Sequence, residues 1–255
     1  MGIVNLTPDS FYDGGLHQGV EGLAHALRLL DQGADVVDLG AESTRPGATP
    51  VSQEEELSRL LPVLAGMRRL KPSAVISVDT YHASTASTAL EMGASIINDV
   101  TACGEDPELL DVLVQYKPGY VLTHPGDNLS QQNDCGEDMR HHVRAFFASS
   151  LARLVRSGLP EERIVLDPGI GFGKSAQQNL TLLAHPEDWL EFERPIVMGL
   201  SNKSVFGILL GLPVAQRGTA TTAATALLWR RGVFWHRVHD VVAARQALTV
   251  SVALR

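Results

Sequence analysis

The chain has 255 residues, of which 44% are hydrophobic, so it can build a folded core without disulfides or a structural metal. Its formal net charge of −8 at pH 7, with both signs interspersed, argues against nucleic-acid binding, and no apolar run reaches the roughly 20 residues of a membrane helix. The two cysteines, Cys103 and Cys135, form no CxxC motif, which together with the lack of a signal-peptide pattern predicts a reducing, cytoplasmic location.

Short apolar runs rich in valine and isoleucine recur along the whole chain, and each predicts a β-strand. In chain order they are MGIVNL, ADVVDLG, AVISVD, SIINDV, GYVLTH, RIVLD, PIVMGL and VFWHRVH. Most of these runs are apolar throughout rather than alternating, which is typical of strands that are buried on both faces.

Helical patterns separate these strands. They are EGLAHALRLLDQG, SQEEELSRLLPVLAGMRRL, STASTALEMG, PELLDVLVQY, a stretch near 137–157, QQNLTLLAH, GTATTAATALLWRRG and VVAARQALTVSVAL. Ser52 and Glu55 have the spacing of a capping box at the start of the second. Eight strand–helix units predict an α/β fold, a (β/α)8 TIM barrel formed as a single domain by residues 1–255, with an open doubly wound sheet as the alternative. No GxGxxG or GxxxxGK[ST] motif follows a strand, which disfavours that alternative.

A polar or ionisable residue ends every predicted strand. These residues are Asn5, Asp38, Asp79, Asn98 with Asp99, His124, Asp167, Ser201 and His239. In a barrel, such strand ends meet at the face that carries the active site. Any one of them could instead cap the following helix, and Asp38, Asp99 and Asp240 can each be explained that way. Eight in eight strands is hard to attribute to capping, so we predict a polar pocket.

The residue types suggest what this pocket binds. Asp79, Asp167 and Asn98 suit a flat amino-pyrimidine edge, which presents donors and acceptors in one plane. Arg237 and His239 lie two residues apart on the last strand and therefore point the same way, as a phosphate site at the last strands of a barrel would require. The sequence thus predicts a ligand with a polar heterocycle at one end and a phosphate at the other.

Several blocks carry a more specific signal. They are MGIVNLTPDSFYDGG, GAESTRPGA, ISVDT, IINDV, LDPGIGFGK, SNKS and RVHDV. In their order and spacing the chain resembles the dihydropteroate synthase family of folate biosynthesis, over essentially its whole length. The family's short N-terminal hairpin is not visible in this sequence. The resemblance implies a transferase that condenses (7,8-dihydropterin-6-yl)methyl diphosphate with 4-aminobenzoate, uses Mg²⁺, and pairs as a homodimer through its C-terminal helices.

The resemblance also implies roles for individual residues. The pterin would be held by Asp79, Asn98, Asp167, Lys203 and Phe172. The diphosphate would be held by Asn5, Arg237 and His239, with Asn5 near the Mg²⁺. The aminobenzoate site would be formed by Thr44, Arg45, Pro46, Phe172 and Ser204. Catalysis would depend on Asp79, Lys203, Asp9 and Arg45, since the loops that carry Asp9 and Arg45 are expected to close over the reacting carbon.

Three positions depart from the family pattern. Asn202 stands where an arginine is usual, Pro125 where a methionine is usual, and Ala41 where a glycine is common. Because a charge-assisted hydrogen bond is typically worth about 1.5–3 kcal/mol, we expect Asn202→Arg to strengthen diphosphate binding. Calorimetry would measure this, and an unchanged or weaker affinity would show that the missing arginine is compensated or irrelevant. Ala41 should be well tolerated provided that its φ is negative.

These departures leave two other functions open. One is a pterin-binding paralogue with weak or no synthase activity. The other is a folate-dependent methyltransferase, which shares the carboxylates around the pterin but has no reason to carry the STRPG loop or the Arg237 and His239 pair.

Overall fold

The computed structural model describes residues 1–7, 18–42, 51–126 and 136–254, with the side chains of residues 18 and 136–138 excepted. Asp9, Thr44, Arg45 and Pro46, which the sequence analysis assigns to the site, lie outside these residues. The chain divides into two compact units. The first comprises Met1–Val121 with Ser157–Leu159, and the second comprises Leu122–Arg156 with Pro160–Arg255.

Eight strands occur in the described residues, one within each predicted run. They are β1 (Gly2–Asn5), β2 (Val36–Gly40), β3 (Val75–Asp79), β4 (Ile96–Asp99), β5 (Gly119–Thr123), β6 (Ile164–Asp167), β7 (Val197–Gly199) and β8 (Trp235–Arg237). Most residues of these strands are buried, with β8 as the exception, which confirms the inference drawn from their apolar composition.

Ten α-helices are described, and they include every helix that the sequence predicts. They are α1 (Gln18–Asp31), α2 (Gln53–Leu70), α3 (Ala83–Glu91), α4 (Leu109–Tyr116), α5 (Gly136–Ser157), α6 (Ala176–Ala184), α7 (Glu187–Leu190), α8 (Ser204–Leu210), α9 (Gly218–Arg230) and α10 (Val241–Ala253). The Ser52 Oγ accepts from Glu55 N at 3.2 Å, so α2 begins where predicted. Helices α7 and α8 lie outside the eight predicted helical stretches, because four and seven residues are too few to show a helical period.

The first unit contains a parallel sheet in the order β1-β2-β3-β4, followed by the start of β5. Helices α1 and α2 pack against each other, as do α2 and α3. The core of this unit is aliphatic, with Val4, Leu39, Leu60, Ile76 and Ile97 all fully enclosed. The register between neighbouring strands determines which side chains meet at the carboxyl end of this sheet.

The second unit contains the end of β5, β6, and the parallel pair β7-β8. His124 N donates to Asp167 O at 2.9 Å, and Leu166 forms a parallel bridge with Ile196. The core of this unit is more aromatic, because Phe147 packs edge-on against Trp189 and Phe192 with ring centroids 6.0 Å apart in both pairs.

Within the described ranges, no helix combines the length and the apolar composition that are needed to cross a bilayer.

Candidate active site

Four residues of the first unit form a row across the carboxyl ends of its strands. Asn5 is opposite Gly40, Gly40 is opposite Asp79, and Asp79 is opposite Asn98. Asp79 and Asn98 are 9% and 4% exposed. A methyl group placed on Gly40 would lie 3.7 Å from Asp79 Oδ2, so the carboxylate lies beside the space that this glycine leaves open. The structure therefore brings together the predicted residues Asn5, Asp79 and Asn98.

Asp38 lies one layer below this row, opposite Ser77. Its Oδ2 accepts a hydrogen bond from Asn98 Nδ2 at 3.1 Å, and its side chain is fully buried. This contact orients the Asn98 amide, because only one of the two amide heavy atoms can donate. The capping explanation for Asp38 is thus replaced by a bond between strands. The sequence contains one indication of this position: Asp38 and Gly40 are two residues apart on β2, so both lie on the same face of the sheet.

The other two aspartates do cap backbone N–H groups. Asp240 Oδ1 accepts from Ala243 N at 2.9 Å at the start of α10. Asp99 accepts from the backbone N–H groups of Thr101 and Cys103, and also from the Tyr120 hydroxyl at 2.8 Å. Both carboxylates are occupied by structural bonds, so neither adds to the candidate site.

The described start of the loop after β2 is held by two side chains of the first unit. Arg59 Nη1 donates to Ala41 O at 2.6 Å. The Tyr81 hydroxyl reaches both oxygens of Glu42, at 3.0 and 3.1 Å. Burial, followed by this bond to the Glu42 carboxylate, raises the pKa of Tyr81, so its hydroxyl remains a donor. Ala41 is not among the described residues with positive φ, so an alanine is well tolerated there, as expected.

A second, shorter row lies in the second unit, where a glycine again lies beside an aspartate. Gly199 is opposite Arg237, and a methyl group placed on Gly199 would lie 3.8 Å from Asp167 Oδ2. Burial raises the pKa of Asp167, and this is opposed by the Gly169 N–H at 2.8 Å and by the charges of Lys203, Arg237 and Lys174. The three cations favour the ionised form of this carboxylate, and that form accepts hydrogen bonds from a donor-rich heterocycle.

Lys203 and Phe172 are in contact. The Lys203 Nζ lies 4.4 Å from the centroid of the Phe172 ring, which is a cation–π distance. Gly171 lies beside this pair at φ 86°, and a side chain on it would meet Lys203 Cδ at 3.0 Å. The structure thus places together Phe172, which the resemblance assigns to both substrates, and Lys203, which it assigns to the pterin.

His239 is held by Ser201. Its Nδ1 is 2.8 Å from Ser201 Oγ, and its backbone N donates to the same oxygen at 3.2 Å. Both residues lie just beyond the ends of β7 and β8 rather than within them. Ser204, predicted to contact aminobenzoate, is exposed at the first residue of α8. Ser201 therefore orients His239, one of the residues predicted to bind the diphosphate.

The described residues contain no group of three or more histidine, cysteine, aspartate or glutamate side chains that could hold a metal ion. Mg²⁺ usually keeps several waters and binds through substrate phosphates with one or two protein oxygens. The single amide oxygen of Asn5, half-buried at the end of β1, fits that kind of contribution.

A family model described as "Pterin binding enzyme" matches residues 1–239. The chain belongs to the pterin-binding enzyme family. The dihydropteroate synthase of Clostridium beijerinckii is 38% identical over 244 residues, which are 95% of this chain and 88% of that protein. The family predicted from the sequence motifs is therefore confirmed.

Two solved structures of dihydropteroate synthases extend this comparison to the fold. The enzyme of Clostridium difficile, solved in the presence of pteroic acid, has a TM-score of 0.93 and 38% identity, and the match covers 100% of this chain and 95% of that chain. The enzyme of Xanthomonas albilineans with 4-aminobenzoic acid has a TM-score of 0.93 and 41% identity, covering 100% and 92%. The predicted fold class, an α/β protein of the (β/α)8 TIM-barrel type, is confirmed by this likeness.

Asn202, which departs from the family pattern, has a left-handed backbone with φ 58°. Its N donates to Thr221 Oγ1 at 3.2 Å, and its carbonyl accepts from Arg217 Nη1 at 3.1 Å. Asparagine visits this region more readily than most residues with a side chain. The substitution Asn202→Arg should therefore lower the free energy of unfolding by about 1 kcal/mol or less, whatever it does to diphosphate affinity.

His124 does not take part in either row. Its ring is 1% exposed and packs edge-on against Phe146 and His142 of α5, with centroids 4.8 and 5.3 Å away. Burial lowers its pKa to about 2, with smaller contributions from the charges of Lys174 and His142. Burial likewise lowers the pKa of His236 to about 4, against the effect of its bond to the Val233 carbonyl. Both rings are therefore neutral in the folded chain.

These two histidines predict instability in acid. Above pH 6.5 both states of the chain carry neutral rings, whereas below it the unfolded chain takes up protons that the folded chain does not. We therefore expect the free energy of unfolding to fall by about 2 kcal/mol from these two groups between pH 6 and pH 5. Urea unfolding at several pH values measures this slope. His124→Leu should remove about half of it, and His141→Leu, at an exposed position of α5, should leave it unchanged.

Proposed function

We propose that this chain is a dihydropteroate synthase, which condenses (7,8-dihydropterin-6-yl)methyl diphosphate with 4-aminobenzoate to give 7,8-dihydropteroate and diphosphate. The observation that carries the proposal is the row of Asn5, Gly40, Asp79 and Asn98 in a chain whose relatives bear this name. A carboxylate and an amide lie there beside a glycine that leaves room for a flat ring.

Asp79, Asn98, Asp167 and Lys203 would bind the pterin, with Phe172 at its edge. Pterin N–H groups require carboxylate acceptors, and its carbonyl requires a donor such as an ammonium group. Asp167 can serve only when ionised, and the three cations around it oppose the effect of burial on its pKa. Asp38 would act through Asn98 by fixing which amide atom meets the ring.

Arg237 and His239 would hold the diphosphate, and Asn5 would supply one oxygen to a Mg²⁺ ion bound mainly by that diphosphate. When bound, the metal would neutralise charge on the leaving group. Ser201 would keep the His239 ring in a single orientation through the 2.8 Å contact at Nδ1. Thr44, Arg45, Pro46, Phe172 and Ser204 would form the aminobenzoate site, and Asp9 would help to cover it.

The chemistry that fits these residues begins with departure of diphosphate, which leaves a cationic methylene on the pterin. Asp79 stabilises that cation, and the aniline nitrogen of aminobenzoate then attacks it. The nitrogen can lose its proton afterwards, so no general base is needed. Since a carboxylate about 4 Å away contributes about 1 kcal/mol in water but about 4 kcal/mol at an effective dielectric of 20, the site must exclude water during this step.

The test is turnover. The purified chain is incubated with the pterin diphosphate, 4-aminobenzoate and Mg²⁺, and dihydropteroate is measured by chromatography. We expect product that depends on both substrates. Pterin binding without product would favour the inactive paralogue, and methyl transfer from a methylfolate to a corrinoid protein would favour the methyltransferase. Complementation of a folate-auxotrophic strain repeats the test in cells.

We further propose that two copies of the chain pair through α9 and α10. These helices contact each other, with Arg230 Nη1 donating to Leu254 O at 2.8 Å. They nevertheless leave several large apolar side chains more than half exposed, namely Leu227, Val250, Val252 and Leu254. Leu227→Glu should shift sedimentation equilibrium towards the monomer, whereas Val20→Glu on α1, at a similarly exposed position, should not. A monomeric wild-type chain at micromolar concentration would contradict this pairing.

A cytoplasmic location is also proposed. Cys103 is a buried thiol outside any disulfide of the described residues, which is compatible with a reducing compartment, and folate synthesis requires metabolites made inside the cell. Fractionation of cells that express the full-length protein would test the location.

A further inference from the structure

Lys174 is a half-buried cation to which the proposed reaction gives no role beyond its charge near Asp167. Its Nζ lies 2.9 Å from Gly169 O, 3.1 Å from Phe172 O and 3.4 Å from His124 O. The first two carbonyls belong to the loop between β6 and α6, and the third follows β5. An ammonium group has three N–H donors that can rotate to meet separate acceptors, so one side chain can join these two segments.

The loop that Lys174 joins has little conformational preference of its own. Gly169, Gly171 and Gly173 adopt φ values of 69°, 86° and 55°, so every second residue of the loop is left-handed. Glycine reaches such values without strain, but it also has the most freedom to leave them. One turn of the loop is closed by Phe172 N, which donates to Gly169 O at 3.1 Å, and side chains hold the loop at other points. Asn179 of α6 does so at one point, where its Oδ1 accepts from Gly171 N at 2.7 Å.

The residue that depends most on this arrangement is Phe172. It lies between two of the left-handed glycines, and its own carbonyl is one of the acceptors of Lys174. The Lys203 Nζ lies 4.4 Å from the centroid of its ring. A change in the backbone at Phe172 would therefore move the ring away from Lys203, although neither residue had been altered.

We infer that Lys174 is a positioning residue. Its bonds to three carbonyl groups fix the β6–α6 loop, so that the Phe172 ring lies against Lys203 and can contact the aminobenzoate. This rests on the proposed function, in which Phe172 contacts the aminobenzoate and Lys203 binds the pterin. The proposed function assigns Lys174 no contact with either substrate. The alternative is that Lys174 only stabilises the fold, in which case its loss would lower stability without favouring one substrate over the other.

Steady-state kinetics with each substrate varied in turn separates these two possibilities. In Lys174→Met we expect the KM for aminobenzoate to rise by about tenfold or more, because a small displacement of a binding group is costly. The KM for the pterin diphosphate should rise by a clearly smaller factor, because Asp167 loses only one of the three cations near it. Lys174→Arg keeps the charge and several donors and should recover most of the loss. Lys71→Met, which removes an exposed lysine paired with Asp31, is the matched control and should change neither KM.

Hydrogen exchange supplies a readout that needs no substrate. The amides of Gly169 and Gly171 donate to Asp167 and Asn179, and they should exchange faster in Lys174→Met than in the wild type. Equal changes in both KM values, or unaltered exchange at these amides with an unaltered KM for aminobenzoate, would overturn the inference. A wild-type chain without turnover would overturn the proposed function first, and the inference with it. If Lys174→Met does not fold, an Arg variant with wild-type exchange but a raised KM for both substrates would also contradict it.

Discussion

Asp79→Asn is expected to reduce kcat about a thousandfold while the folded structure remains. The substitution keeps the size of a 9% exposed side chain, removes its negative charge and replaces one acceptor oxygen with a donor NH2 group, so pterin affinity should fall as well. In a site from which water is excluded, a carboxylate about 4 Å from a cation contributes about 4 kcal/mol, which corresponds to roughly a thousandfold in rate. Single-turnover kinetics would measure the chemical step, and calorimetry would measure the affinity for the pterin.

The control for this variant is Asp31→Asn, which removes an exposed carboxylate from a surface pair with Lys71 and should change kcat by less than about twofold. A loss of pterin affinity with kcat unchanged at saturation would mean that Asp79 only binds the substrate. A kcat within about tenfold of the wild type would mean that the site remains wet or that the charge is not near the reacting carbon.

Gly169→Ala is expected to lower the free energy of unfolding by about 3 kcal/mol or more, whereas Gly211→Ala should cost about 1–2 kcal/mol. Both glycines are left-handed, at φ 69° and 68°. A methyl group on Gly169 would lie 2.1 Å from the His124 carbonyl oxygen, but one on Gly211 would meet nothing within 4 Å. Gly169→Ala must therefore displace the backbone at His124, whereas Gly211→Ala costs only the strain of a left-handed alanine.

Urea unfolding of both variants measures this difference, and the pairing isolates the clash from the cost of the left-handed conformation. Because Gly169 also donates to Asp167, the variant that folds should bind pterin more weakly as well. Equal destabilisation of the two variants would show that the segments after β5 and β6 can separate without cost. That result would also weaken the role inferred for Lys174, which joins the same segments.

The sequence was sufficient to predict the strands and the larger helices, because runs such as AVISVD and helical periods of more than two turns are local signals. It was not sufficient to separate Asp38 from Asp99 and Asp240. Each aspartate follows a strand, and only the register shows that Asp38 meets Asn98 whereas the other two meet backbone N–H groups.

The function of Lys174 was hidden for a different reason. Its acceptors are backbone carbonyls, which every residue has, so no pattern of residue types reveals them. The left-handed φ of Asn202 was equally invisible, because it depends on the turn between β7 and α8. The roles of Asp9, Thr44, Arg45 and Pro46 stay predictions, since these residues lie outside the described ranges.

Gly40 and Gly199 provide a way to separate occupancy from folding. A methyl group at either position would lie 3.5 Å or more from the neighbouring aspartate, which is an ordinary van der Waals contact, so the alanine variants should keep the native fold. The same methyl group would fill the gap that a bound heterocycle needs. Such a variant would be folded but unable to bind the heterocycle. Cells in which it replaces the wild type would show whether the protein has a function besides catalysis.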